Sequence, residues 1–125
     1  MSRTTWRDGG GFEEAAAYSR AVRIGSHVAV SGTAARGGGG AYEQAREALE
    51  RALSAARTLG AEREDVLRTR LLLADGSDWE AAVRAHREAF EGAEPANTTY
   101  FVVGFIPEGV LVEVELDAVV PEPPR

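Results

Sequence analysis

From residue 110 to residue 120 the chain alternates with a period of two. Val110, Val112, Val114, Leu116, Ala118 and Val120 fall on one side; Leu111, Glu113, Glu115, Asp117 and Val119 fall on the other. Successive strand residues point to opposite faces, so this is a strand with one core face and a reverse face bearing three acids. Residues 97–106 read as a second strand, followed by a Pro107-Glu108-Gly109 turn. Residues 20–24 and 27–31 read as a hairpin about Gly25-Ser26, with Val28 and Val30 on one face. Between these lies the strongest helical stripe, with apolar residues at 45, 48, 49, 52, 53, 56 and 59 and Gly60 as the stop. Residues 65–73 form a strand with Arg68 and Arg70 on one face and Leu67, Thr69, Leu71 and Leu73 on the other. A second helix starts from Ser77 as N-cap with Glu80 three residues on, carries Trp79, Ala82, Val83, His86 and Phe90 on its stripe, and stops near Gly92. Residues 1–19 are mixed, with 12–18 a short helical turn or a loop.

The order is β-β-α-β-α-β-β in a single domain, residues 1–125. It predicts an α+β fold in which two crossover helices pack on one face of a four- to six-stranded mixed sheet. The other face is expected to carry Leu67, Leu71, Leu73, Phe101, Val103 and Leu111. A face that apolar is expected to be covered by another copy of the chain.

Charge narrows the function. The chain has 125 residues, a net charge of −6 and no cysteine. An acidic surface repels phosphate backbones, so nucleic acid is not expected as a partner. All 14 positive charges are arginines, which excludes a lysine Schiff base. Without cysteine there is no thiolate nucleophile or thiolate metal site. No apolar run approaches the roughly 20 residues of a membrane helix. The first residues, MSRTTWRDGGG, contain no apolar signal core, and the expected location is cytoplasmic. The four glycines at 37–40 lack the lysine of a phosphate loop and read as a flexible connection. His27 and His86 are too far apart in sequence for metal-ligand spacing, and His86 reads as a packed core residue.

Several pieces, in this order, are similar to the Rid family, the YjgF-type reactive-intermediate deaminases. They are Tyr18 followed by Ala21-Val22 and Gly25, then VAVSG at 28–32, then Gln44 opening the first helix. LGAEREDVLRTRLLLAD at 59–75 and DWEAAVRAHREAF at 78–90 follow. Pro95-Ala96 and Ile106-Pro107 with LVEVELDAV close the series. The resemblance implies a chorismate-mutase-like fold and a homotrimer with inward-facing sheets and three inter-subunit clefts. It implies chemistry on a small enamine or imine, which water converts to a carbonyl compound and ammonia, with no cofactor and no metal.

It also implies site residues. Glu113 matches the acid that handles water or a substrate proton. Tyr18, expected from a neighbouring chain, matches the cleft tyrosine. Ser31 and Gly32 match the strand end that lines the cleft. Asn97 stands where the deaminase branch has a carboxylate-binding arginine, which places the chain with arginine-lacking branches. An amide cannot form a charged fork, and each lost charge-assisted bond is worth roughly 1.5–3 kcal/mol. The substrate is therefore expected to differ from the free imino acid derived from 2-aminoacrylate. Thr98 and Tyr100 flank Asn97 and are expected to line the cleft. Glu115 and Asp117 are expected to pair with Arg68 or Arg70 on a neighbouring strand. The other reading is a trimer that binds a small ligand without turnover.

Overall fold

The structure is a computed structural model, and it describes residues 2–121. Its elements are β1 (Arg3–Trp6), α1 (Phe12–Ala16), β2 (Ala21–Ile24), β3 (His27–Ala34), α2 (Ala41–Thr58), β4 (Val66–Ala74), α3 (Trp79–Phe90), β5 (Ala96–Val102) and β6 (Val112–Val119). The six strands form one mixed sheet in the order β1-β2-β3-β6-β4-β5. Only the β4–β5 pair is parallel, as the α3 crossover between them requires.

The final strand lies in the middle of the sheet. It pairs antiparallel with β3 on one side and β4 on the other. Its strict alternation follows from that place: Val112, Val114, Leu116 and Ala118 are fully buried under the helices, while Glu113, Glu115 and Asp117 are half-exposed on the open face. Strand β5 leads into β6 in sequence but sits at the sheet edge beyond β4 and ends at Val102, four residues short of the expected boundary.

Helices α2 and α3 pack against each other and cover one face. Phe90, Leu49, Leu71, Leu73 and Leu116 are the largest buried side chains of that layer. Gly60 closes α2 with φ 95°, a conformation only glycine adopts freely. Arg23 donates to the Leu59 carbonyl at 2.8 Å, and a Cβ at residue 60 would meet that guanidinium at 2.6 Å. No helix among the described residues is long and apolar enough to cross a membrane.

Four expectations are corrected. First, the N-terminal segment is more ordered than its mixed composition suggests: residues 3–6 add a strand against β2. Second, the α3 cap is Asp78, whose carboxylate accepts the Ala81 N–H at 3.1 Å; the Ser77 hydroxyl is buried without a partner. Third, Leu71 and Leu73 lie in the helix-facing core, and Phe101, in register with Leu73, shares that side. Fourth, a register break between Val66 and Arg68 takes Leu67 out of the alternation and leaves it exposed. The open face consequently holds Arg70, Leu72, Ser31 and the three acids, and is more polar than expected.

Candidate functional site

A second register break, in β3 between Val30 and Thr33, builds the open-face cavity. A bulge bends a strand and re-aims its side chains. Here it lifts Ser31 and Gly32 out of the ladder beside β6. The cavity above them, about 580 Å³, is lined by Tyr18, Arg20, Ser31, Gly32, Glu113 and Glu115, among others. Four of the residues expected at the site, Tyr18, Ser31, Gly32 and Glu113, thus line one cavity.

Glu113 is the titratable group on the floor of this cavity. Burial pushes its carboxyl up from the ordinary glutamate value, the Arg20 charge opposes that, and Glu115 adds repulsion. Its carboxylate packs against Gly32 so closely that a Cβ there would lie 2.5 Å from Oε1. Gly32→Ala is therefore expected to displace the carboxylate and leave the fold intact, because the atom in the way ends a flexible side chain. Turnover should fall by about 10²-fold, the cost of an ångström-scale misplacement, with an unchanged melting temperature. A Gly32→Ala protein with full activity would remove Glu113 from the chemistry.

The Ser31 hydroxyl is already used. It donates to the Ser19 carbonyl at 2.6 Å, and the Ser31 N–H donates to the Arg20 carbonyl at 2.9 Å, so Ser31 ties the start of β2 to β3. Arg20 is the residue that sequence reasoning missed. It donates to the Gly32 carbonyl at 3.0 Å and to the Tyr18 hydroxyl at 3.4 Å, and its guanidinium lies 5.2 Å from the Tyr18 ring centre. The signal available was its position in the Val22 row, two residues after Tyr18.

Asn97 and its neighbours lie elsewhere. In register with Thr69, Asn97 belongs to the helix-facing row of β5. Its Nδ2 donates to Thr69 Oγ1 at 3.1 Å, and its Oδ1 accepts the Thr99 hydroxyl at 2.8 Å. The Thr69 hydroxyl also meets His86 Nε2 at 2.7 Å. Asn97 and Tyr100 line a separate cavity of about 370 Å³ at the sheet edge, walled by Leu73, Trp79, Val83 and Phe101. Thr98 lines neither cavity; its hydroxyl accepts from Arg68 at 2.9 Å. Arg70 reaches Glu115 and Asp117 at 3.5 and 3.4 Å, so the acids occupy that arginine. Half-exposed pairs of this kind contribute about 0–1 kcal/mol. Neither Arg68 nor Arg70 stands in the Glu113 cavity.

Among the described residues no three His, Asp or Glu side chains converge as metal ligands. The Glu113 cavity offers a carboxyl group raised by burial, a tyrosine hydroxyl, a guanidinium and the backbone at Gly32, groups of the kind that acid–base chemistry on a small polar molecule uses.

Residues 11–120 match the family model described as Endoribonuclease L-PSP. An uncharacterised protein of Streptomyces coelicolor is 40% identical over 118 residues, covering 90% of this chain and 88% of its own. The mouse 2-iminobutanoate/2-iminopropanoate deaminase is 30% identical over 109 residues, covering 82% and 80%. Among solved structures, Rv2704 of Mycobacterium tuberculosis, a member of the YjgF/YER057c/UK114 family, superposes with a TM-score of 0.90 at 42% identity, over 95% of this chain and 100% of its own.

Proposed function

The chain belongs to the YjgF (Rid) family, and from that premise we propose that it is a cytoplasmic homotrimer that hydrolyses a small imine or enamine in an inter-subunit cleft. One observation carries the reading: Glu113, raised by burial, stands over Gly32 beside Tyr18 and Arg20. A carboxyl lifted above the ordinary glutamate value is better suited to give and take a proton than a free one. With an enamine, the Glu113 proton goes to the β-carbon and leaves an imine. The carboxylate then takes a proton from water as its oxygen bonds to the imine carbon. In the resulting carbinolamine the same proton passes to nitrogen as the C–N bond breaks, and the hydroxyl proton returns to the Glu113 carboxylate as C=O forms, so the products are a carbonyl compound and ammonia and the acid is regenerated.

The separation of the two cavities supports the proposed assembly. The Glu113 cavity is broad and open, and the Asn97 cavity lies at the edge strand β5, where Trp79, Tyr100 and Phe101 are about half-exposed. An exposed apolar sheet edge calls for a cover. A neighbouring copy that sets its β5 edge over the Glu113 cavity would place Asn97 and Tyr100 of one chain opposite Tyr18 and Glu113 of another. The net charge of −6 weighs against RNA chemistry, whatever the description of the family model.

Asn97 brings no charge, so a carboxylate-bearing imine loses the guanidinium partner it would have at this position. The test is a panel of freshly generated imines and enamines with and without a carboxylate, followed by carbonyl release and ammonia. Turnover is expected, slowest with 2-aminoacrylate, and Asn97→Arg is expected to gain on the carboxylate-bearing members. Release at the buffer rate across the panel would refute the hydrolase. The internal hydrogen bonds of Asn97 favour a second reading in that event, a trimer that holds a small ligand without turnover.

A further inference from the structure

Arg20 separates two cavities. On its other side, between the β1–β2 edge of the sheet and α2, lies a pocket of about 390 Å³. Four guanidinium groups reach it from four parts of the chain: Arg7 after β1, Arg20 before β2, Arg36 from the loop after β3, and Arg51 from α2. Asp8 is the single carboxylate on its wall. Asp8 Oδ2 holds Arg51 at 3.2 Å and Arg36 at 3.4 Å. Among the described residues, Arg7 and Arg20 have no carboxylate within ion-pair distance. Arg20 Nε is buried with no hydrogen-bond partner.

The other carboxylates lie behind the wall: Glu13 accepts the Asp8 N–H, Glu47 accepts the N–H groups of Arg36 and Gly37, and Glu113 faces Arg20 from the other cavity. On the pocket wall itself four guanidinium-bearing residues meet one carboxylate. Burial first, and then the neighbouring Arg36 charge, push the Arg51 guanidinium below its ordinary value. Burial acts to raise the Asp8 carboxyl, yet its hydrogen bonds with Glu13 and Gly10 and the charges of Arg20 and Arg36 hold it below the usual range. Like charges gathered on one pocket wall repel one another, and an anion among them relieves that repulsion.

We propose that this arginine-lined pocket binds a small phosphorylated molecule, with the phosphoryl group among Arg7, Arg36 and Arg51 and the remainder against Trp6. Guanidinium forks match phosphate oxygens two at a time, and several forks converging from different directions suit a tetrahedral dianion better than a single planar carboxylate. The pocket is larger than one phosphate group needs, and the Trp6 ring supplies an apolar wall.

The experiment measures binding and does not depend on the hydrolysis proposed above. Inorganic phosphate is titrated into the full chain by calorimetry, with malonate and chloride at matched ionic strength. Saturable phosphate binding is expected, at one site per chain, with a rise in melting temperature. Arg51→Met should weaken it more than tenfold. Arg36→Met should also weaken it, and serves as the variant least able to disturb the fold, since that side chain is 68% exposed. Phosphate that behaves like chloride, malonate that binds as tightly as phosphate, or phosphate affinity unchanged in Arg36→Met would each overturn the assignment.

Discussion

Glu113→Gln lowers turnover of the responsive imine by about 10²–10⁴-fold, the range for removing a positioned acid–base group. Glutamine keeps the size and a hydrogen-bond donor but cannot pass a proton. The fold should gain from the change at neutral pH. Because burial raises the Glu113 pKa in the folded state, the protonated side chain is the one the cavity favours. The associated stability is complete below the ordinary glutamate value and is lost as pH rises through the folded value. Above it, the native protein holds an unfavourable buried charge that the variant lacks. Steady-state rates and urea midpoints at pH 7.5 check both statements together. A variant that is inactive because it unfolds would show a lower midpoint, and a variant with native turnover would exclude Glu113 as the proton carrier.

Phe90→Ala lowers stability by about 3–5 kcal/mol, the usual cost of deleting a buried aromatic ring. Phe90 is 2% exposed at the last position of α3, and its ring stacks on His86 with centroids 4.9 Å apart. The loss has a second, pH-dependent signature. Burial holds the His86 pKa below its ordinary value of 6.5, so the folded state favours the neutral ring. That contribution is present above pH 6.5 and is lost as pH falls through the folded value. Opening the stack lets water reach His86 and returns its pKa toward 6.5. On going from pH 7.5 to 5.5, urea unfolding should show an acid-side loss from His86 that is larger in the native chain than in Phe90→Ala, the opposite change from Glu113 being common to both. Equal drops would place His86 outside the packed layer.

Much of the fold was legible because its rules are local. The hairpin at Gly25-Ser26, the α2 stripe ending at Gly60 and the alternation of β6 each depend on a few neighbouring residues, and each appears in the structure within a residue or two, except that β3 runs three residues further, to Ala34. The place of β6 between β3 and β4 depends on pairing with strands roughly 40 to 90 residues upstream, and alternation does not name a partner. β1 was missed because RTTW shows too little pattern over four residues to stand out from a loop. Leu67 was placed on a face by alternation that the β4 register break interrupts.

At the site, residue types were more legible than their directions. Glu113, Gly32, Ser31 and Tyr18 share a cavity, but Ser31 spends its hydroxyl on Ser19. Asn97, Thr98 and Tyr100 are consecutive or nearly so, and a strand turns adjacent residues to opposite faces. Thr98 therefore meets Arg68 while Asn97 meets Thr69 on the other side. Arg20 was overlooked because its place in the Val22 row does not say what it meets; its importance comes from the β3 bulge that brings Gly32 to it.

In the proposed trimer the Glu113 cavity becomes an active site only when a second chain covers it. Sedimentation of the active protein across a dilution series, with the rate per chain recorded at each concentration, tests this most directly. A three-chain species is expected at the concentrations that give full activity, with a rate per chain that falls as that species dissociates. A monomer that hydrolyses the imine at the full rate would contradict it.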